Sequence, residues 1–266
     1  TQLKKDLMRT AYLNGFTNDL HFYEKQFDIK YEHKPNPNGE VVVIWQNGLG
    51  PIKDEVSFNF IALPGQPGYV IFENKELGIT FPFYIGNDAQ KKNDLLALRV
   101  IRVAFPKYIE RPTYYTQASV WNAGTTYNLE LIEDINAIAF KTLQDRFFRE
   151  MGTSLLRLGL KKAAELKLAQ ENAALGAAAT ITNAITEKAD TRNWQTLPHS
   201  IYYTRVPLNA GNNNLVLKMQ GRNKKNDQTE FQFVGKPGAM YFMPYSSIEH
   251  LPAPGVGGGS MDVERN

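Results

Sequence analysis

The residues that could do chemistry in this 266-residue chain are four histidines, scattered carboxylates and one serine beside glycines. The histidines are His21, His33, His199 and His250. None lies four residues from another with an acid alongside, the spacing by which one helix face grips a zinc ion. The chain has no cysteine, which excludes disulfides, thiolate metal sites and a cysteine nucleophile together. No cofactor is expected. A Gly-x-Ser-x-Gly elbow is missing, and Ser260, which follows Gly257, Gly258 and Gly259, sits in a tail unable to hold an oxyanion hole beside it. Neither a phosphate loop nor a Gly-x-Gly-x-x-Gly turn after a strand occurs. Asp54, Glu55, Glu130, Glu133 and Asp134 are the acids able to supply a hydrolytic carboxylate pair. Adjacent strand residues face opposite ways, however, and Glu130 with Asp134 reads as acid decoration of a helix start, where the macrodipole favours it. A non-catalytic chain is therefore expected, with a paired-carboxylate hydrolase as the alternative.

Binding is the chemistry that remains. Tyr12, Phe16, Tyr23 and Phe27 fall at helical spacing in the first thirty residues and form one set of candidate partner contacts. Arg192 and Trp194 form the second, in the stretch Ala189 to Pro198. There Asp190 and Arg192 can bond the backbone of a turn, Trp194 can plug a gap between helix and sheet, and Pro198 can end the turn. A structural joint is the favoured reading of this stretch, with the rim of a binding site as the other.

These residues need elements to hold them. Leu3, Leu7, Met8 and Tyr12 recur as on a helix, Asn14-Gly15 interrupts, and Phe16, Leu20, Tyr23 and Phe27 resume, so residues 1–34 read as a helical hairpin. The run Lys34-Pro35-Asn36-Pro37-Asn38-Gly39 cannot continue a helix and marks a boundary. From 40 the period becomes that of strands, as in Val56, Phe58, Phe60 and Ala62 alternating with Ser57, Asn59 and Ile61. Strands are expected at 41–45, 56–62, 68–73, 78–85, 97–104, 117–122 and 125–131. Residues 133–189 read as a long helical pair opened by Asp134, kinked near Gly152 and Ala-rich over 173–186. Strands return at 199–208, 214–220, 229–235 and 239–243, and 252–266 reads as a flexible tail. The expected fold is α+β: a repeat-like helical hairpin, then a mainly antiparallel sheet domain over 40–251 interrupted by helices at 133–189.

Charge narrows the partners. Thirty basic against 27 acidic residues leave a net charge of +3, without the concentrated basic face that nucleic acid requires. Arg222, Lys224 and Lys225 read as a hairpin tip. No stretch reaches the roughly 18 apolar residues of a membrane span, and the Ala-rich helix reads as buried rather than as a membrane-surface element. No oligomeric state is assigned.

Several segments carry a resemblance. They are Asn47 to Val56, Phe105-Pro106-Lys107-Tyr108 with Arg111-Pro112, Asp134 to Phe140, and Glu187 to Arg192 with Trp194, Leu197-Pro198, Arg205-Val206-Pro207 and Gly211. Together they resemble a family of uncharacterised bacterial cell-envelope proteins, described as lipoproteins with tetratricopeptide repeats ahead of this region. Tyr12-x-x-Gly15-Phe16 followed by Phe22-Tyr23-Glu24-Lys25 is similar to one such repeat, although Asp19 stands where the repeat has a small residue. The resemblance implies export to the periplasm, association with the outer membrane through a lipid-anchored precursor, and other envelope proteins as partners. It implies no activity. The expected role is thus a structural or adaptor subunit of an envelope complex, with a hydrolase of envelope glycan or peptide as the alternative.

Overall fold

The computed structural model describes residues 1–171, 189–222 and 226–251, which form two compact units. The first comprises Thr1–Ile52, Ile109–Ile138 and Trp194–Asn266, the second Lys53–Tyr108 and Ala139–Asn193. The hairpin belongs to the first unit, and the second unit contains strands as well as helix. The chain passes between units after Ile52, Tyr108, Ile138 and Asn193.

In the first unit, α1 (Gln2–Leu13) and α2 (Thr17–Phe27) make the expected hairpin. Gly15, at φ +72°, takes the left-handed turn that ends α1. Eight strands follow in this unit: β1 (Glu40–Asn47), β6 (Tyr115–Asn122), β7 (Thr125–Asn128), β8 (Glu130–Asp134), β9 (Ser200–Pro207), β10 (Gly211–Gly221), β11 (Asn226–Gly235) and β12 (Met240–Ser247). They form two sheets, ordered β12-β1-β9-β8 and β11-β10-β6-β7. Val41, Val43 and Trp45 of β1 and Val206 of β9 pack with Val120 of β6 and Leu215, Leu217 and Met219 of β10 in one core. Each large side chain fully buried there contributes about 1.5–3 kcal/mol. Within that core the Trp45 Nε1–H donates to Ser247 Oγ at 2.9 Å, satisfying the indole's polar atom.

In these two sheets the pairing is antiparallel as expected except at one place, where β1 runs parallel to β12 in full register from Glu40 opposite Met240 to Asn47 opposite Ser247. The expected strand 125–131 is two strands. Leu129 separates them, and β7 pairs with β6 while β8 pairs with β9 in the other sheet. A change of sheet within a few residues looks continuous in sequence because both halves are extended.

The second unit holds β2 (Ile52–Pro64), β3 (Tyr69–Asn74), β4 (Ile79–Tyr84) and β5 (Val100–Ile109) in the order β4-β3-β2-β5. It also holds α3 (Ala89–Ala97) and most of α4 (Ile135–Glu171). Phe60, Ala62, Val70, Phe72, Val103 and Phe105 meet Leu95 of α3 and Met151, Leu155 and Leu158 of α4, so the alternation expected of β2 reflects a sheet covered on one face. Helix α3 is absent from the sequence reading. Its opening signal is nonetheless present, since the Asp88 carboxylate accepts the Lys91 N–H at 3.0 Å.

Part of the expected helical pair lies within the described residues. Over the described residues it is one helix, and α4 runs through Gly152 without a break. Gly159, further along, brings α4 close to the sheet: a Cβ there would lie 3.2 Å from Phe72 Cζ. Asp134 does open the helix, accepting the Ala137 N–H at 2.8 Å. The Ala-rich stretch 173–186, Lys224 and Lys225 of the basic tip, and the tail 252–266 lie outside the described residues.

Candidate functional site

The hairpin is seated by charge. Strand β1 turns Val41, Val43 and Trp45 inward, so Glu40 and Val42 face out, and the register places Arg205 opposite Val42 and Tyr203 opposite Ile44. Helix α1 brings Asp6, Met8, Arg9 and Ala11 to this seat, with Asp6, Met8 and Ala11 buried. Glu40 Oε2 receives Arg9 Nη1 at 2.6 Å and Arg205 Nη1 at 2.7 Å, while Arg205 Nε lies 2.9 Å from Asp6 Oδ1. The Tyr203 hydroxyl donates to Asp6 Oδ2, and Gln2 N–H donates to Glu130 Oε1 of β8 at 2.8 Å. Two guanidinium groups thus face two carboxylates, and no net charge is buried. Burial, reinforced by the bond to Asp6, pushes the Tyr203 hydroxyl well above its ordinary value. Burial alone would lower the Arg205 guanidinium, but facing Tyr203, Asp6 and Glu40 hold it above normal. Such a network contributes little net stability against an apolar core, yet it fixes one docking geometry.

With α1 seated, the candidate aromatics separate into two kinds. Tyr23 stacks on Phe27 at 5.8 Å, Lys4 Nζ lies 4.7 Å over the Phe27 ring, and both rings are partly covered. These two pack the hairpin itself. Tyr12 stacks on His33 at 4.9 Å and keeps half its surface exposed. Phe16 is 58% exposed at the turn, Leu13 at the end of α1 is 57% exposed, and Phe22 on α2 is 62% exposed. Leu13 and Phe22 are missing from the sequence-derived set; Phe22 directly precedes Tyr23 and so lies off the stripe that defines the set.

The second candidate set behaves otherwise. Arg192 places Nε and Nη2 on the Asp190 carboxylate at 2.9 Å each, and its own N–H also bonds that carboxylate. The Arg192 bonds hold the Asp190 carboxyl far below the usual range. This pair is fully in solvent. Trp194 does not plug a gap: it is 72% exposed, and its Nε1–H donates to Thr196 Oγ1 at 2.5 Å. The residue that pins the turn is Arg111, buried before β6, whose Nε donates to Gly50 O at 2.7 Å and whose Nη2 donates to Gln195 O at 2.5 Å. Gly50 N–H donates in turn to Leu197 O at 2.7 Å. Burial pushes the Arg111 guanidinium down from its ordinary value. The Arg111-Pro112 pair in the sequence was the available signal.

Four of the five candidate acids hold a bond or ion pair of their own. Asp54 lies 3.4 Å from Lys107 Nζ, Glu55 accepts the Ala189 N–H at 2.8 Å, Glu130 holds Gln2, and Asp134 caps α4. His33 stacks within the hairpin, and His199 reaches Ser200 and Glu110. Among the described residues no three His, Asp or Glu side chains gather as metal ligands would, and no helix is long and apolar enough to cross a membrane.

The chain matches no family model, no curated protein and no solved structure.

Proposed function

We propose that this chain is a non-catalytic adaptor of a bacterial cell-envelope complex, periplasmic and associated with the outer membrane, that holds a protein partner on its N-terminal hairpin. The carrying observation is the exposure of Leu13, Phe16 and Phe22 on a hairpin whose first helix is locked to β1 and β9 through Asp6, Arg9, Glu40 and Arg205. Large aromatics left in water on a rigid support are the composition of an interface core. A support held by several charged bonds presents them without the ordering cost of a mobile segment.

The finer form of the reading is that α1 and α2 are one tetratricopeptide-like repeat, and that the partner face is a further helix pair stacked on it as neighbouring repeats stack. Support comes from the similarity of Tyr12-x-x-Gly15-Phe16 to such a repeat and from the envelope resemblance, which also supplies the lipid-anchored precursor. Affinity capture from a crosslinked envelope fraction tests it. Wild-type chain should retain a defined envelope protein that the double variant Phe16→Asp, Phe22→Asp loses. Recovery of this chain alone would contradict the reading.

A further inference from the structure

The outward face of the sheet β11-β10-β6-β7 has a composition unlike an ordinary solvated sheet. Its inner residues fill the core, so the register defines the outer rows. One row sets Gln117 beside Gln220 and Asn226, the next sets Ser119 beside Lys218 and Gln228, and a third sets Trp121 beside Val216 and Glu230. Asn214 with Gln232 continues the series. Amides dominate, and the charged residues in these rows are Lys218 and Glu230. The face is also hollowed: a depression of about 500 Å³ lies over the first two rows, with Asp227 also in its lining, and one of about 450 Å³ lies over Asn214, Gln232 and Val234. Trp121, 36% exposed, stands in the row between them.

We propose that this face binds a neutral glycan chain. A carboxamide offers donors and an acceptor at once, which matches sugar hydroxyls, each of which also does both. The Gln117, Gln220 and Gln228 amides bond no protein group among the described residues, so their full capacity is available. An indole gives a flat apolar platform with a polar edge, suited to the C–H face of a pyranose ring. Two acids, Asp227 and Glu230, against the single Lys218 disfavour a polyanion. The rows from Gln220 to Asn214 extend roughly 20 Å along β10 at a strand's rise of about 3.4 Å per residue, a span for several sugar units rather than one. The inference does not depend on the hairpin having a partner.

Titration of the full chain with chitohexaose, maltohexaose and, as an anionic probe, oligogalacturonate decides it, read by calorimetry and indole fluorescence. At least one neutral hexaose should bind with a dissociation constant on the order of 0.1–1 mM, the range of a weak, open site. Trp121→Ala should weaken it about tenfold and Gln220→Ala about threefold, with Trp194→Ala unchanged, as loss of stacking and of one hydrogen bond dictates. Gln220 and Gln228 are exposed, so Gln220→Ala and Gln228→Ala keep the test valid if Trp121→Ala fails to fold. No neutral hexaose binding up to about 10 mM, unchanged affinity in Gln220→Ala and Gln228→Ala, or preference for oligogalacturonate would each overturn the proposal.

Discussion

The Tyr203 hydroxyl donates to the Asp6 carboxylate across 197 residues of sequence, joining the outer face of β9 to the first helix. Arg205, two residues along the same strand, completes the anchor by reaching both Asp6 and Glu40. Asp6→Ala would leave Arg205 and Tyr203 facing each other without the carboxylate. Breaking one partner of such a buried pair costs about 3–5 kcal/mol. Denaturant unfolding should show that loss, and hydrogen exchange should show the α1 amides opening before the β-sheet amides. An unchanged midpoint with α1 still protected would remove the anchor from the account.

Alkaline pH addresses the same bond. In the unfolded chain Tyr203 and Tyr115 lose their protons near the ordinary tyrosine value of 10.0, while burial and the bonds to Asp6 and Asp227 raise both in the folded state. Above pH 10 the folded form therefore holds more protons than the unfolded form, so stability falls as pH rises. The contribution is complete below pH 10. Tyr203→Phe should flatten the decline between pH 10 and 11 relative to wild type, as measured by unfolding midpoints. A wild-type slope equal to that of the variant would contradict the assignment.

Two arginines of similar appearance in sequence should behave oppositely. Arg111 is buried and bonds two carbonyls, so Arg111→Ala should destabilise by about 1.5–3 kcal/mol for each charged bond left unmade. Lys cannot reproduce the fork geometry, so Arg111→Lys should rescue little. Arg192→Ala touches only a solvent-exposed pair and should stay within about 0.5 kcal/mol of wild type. Thermal melts of the three variants check the contrast.

Helix α4 supplies a test of packing. Gly159→Ala gains about 1 kcal/mol of helix propensity, offset by the crowding of Phe72 Cζ at 3.2 Å, so its net effect should be small. Gly159→Leu has no such room and should cost roughly 1–3 kcal/mol. If Gly159→Leu unfolds at the wild-type midpoint, the close approach is not what the glycine serves.

The sequence disclosed what is local and periodic. The hairpin turn at Asn14-Gly15, the one-sided alternation of Val56 to Ala62 and the Asp134 cap are each decided within a few residues, and all stand in the structure. Pairings between distant segments were not legible. Nothing near Val41 announces that it lies parallel to Tyr241, because a parallel ladder joins segments with no turn between them. Trp194 misled for a related reason: size argues for burial, but the ring is exposed and bonds Thr196 two residues on, and Arg111 holds the turn instead. The amide face was within reach, since Gln228, Glu230 and Gln232 alternate with Thr229, Phe231 and Phe233. Its rows become one surface only when three strands align.

The hairpin reading rests on Phe16 and Phe22 being a partner's seat, and one measurement bears on it most directly. A photo-crosslinking residue placed at Phe22 in the full chain, expressed in a bacterial envelope, should capture one defined envelope protein, whereas the same residue at exposed Lys75 of the second unit should capture none. Equal yields at the two positions, or self-crosslinks alone at Phe22, would contradict it.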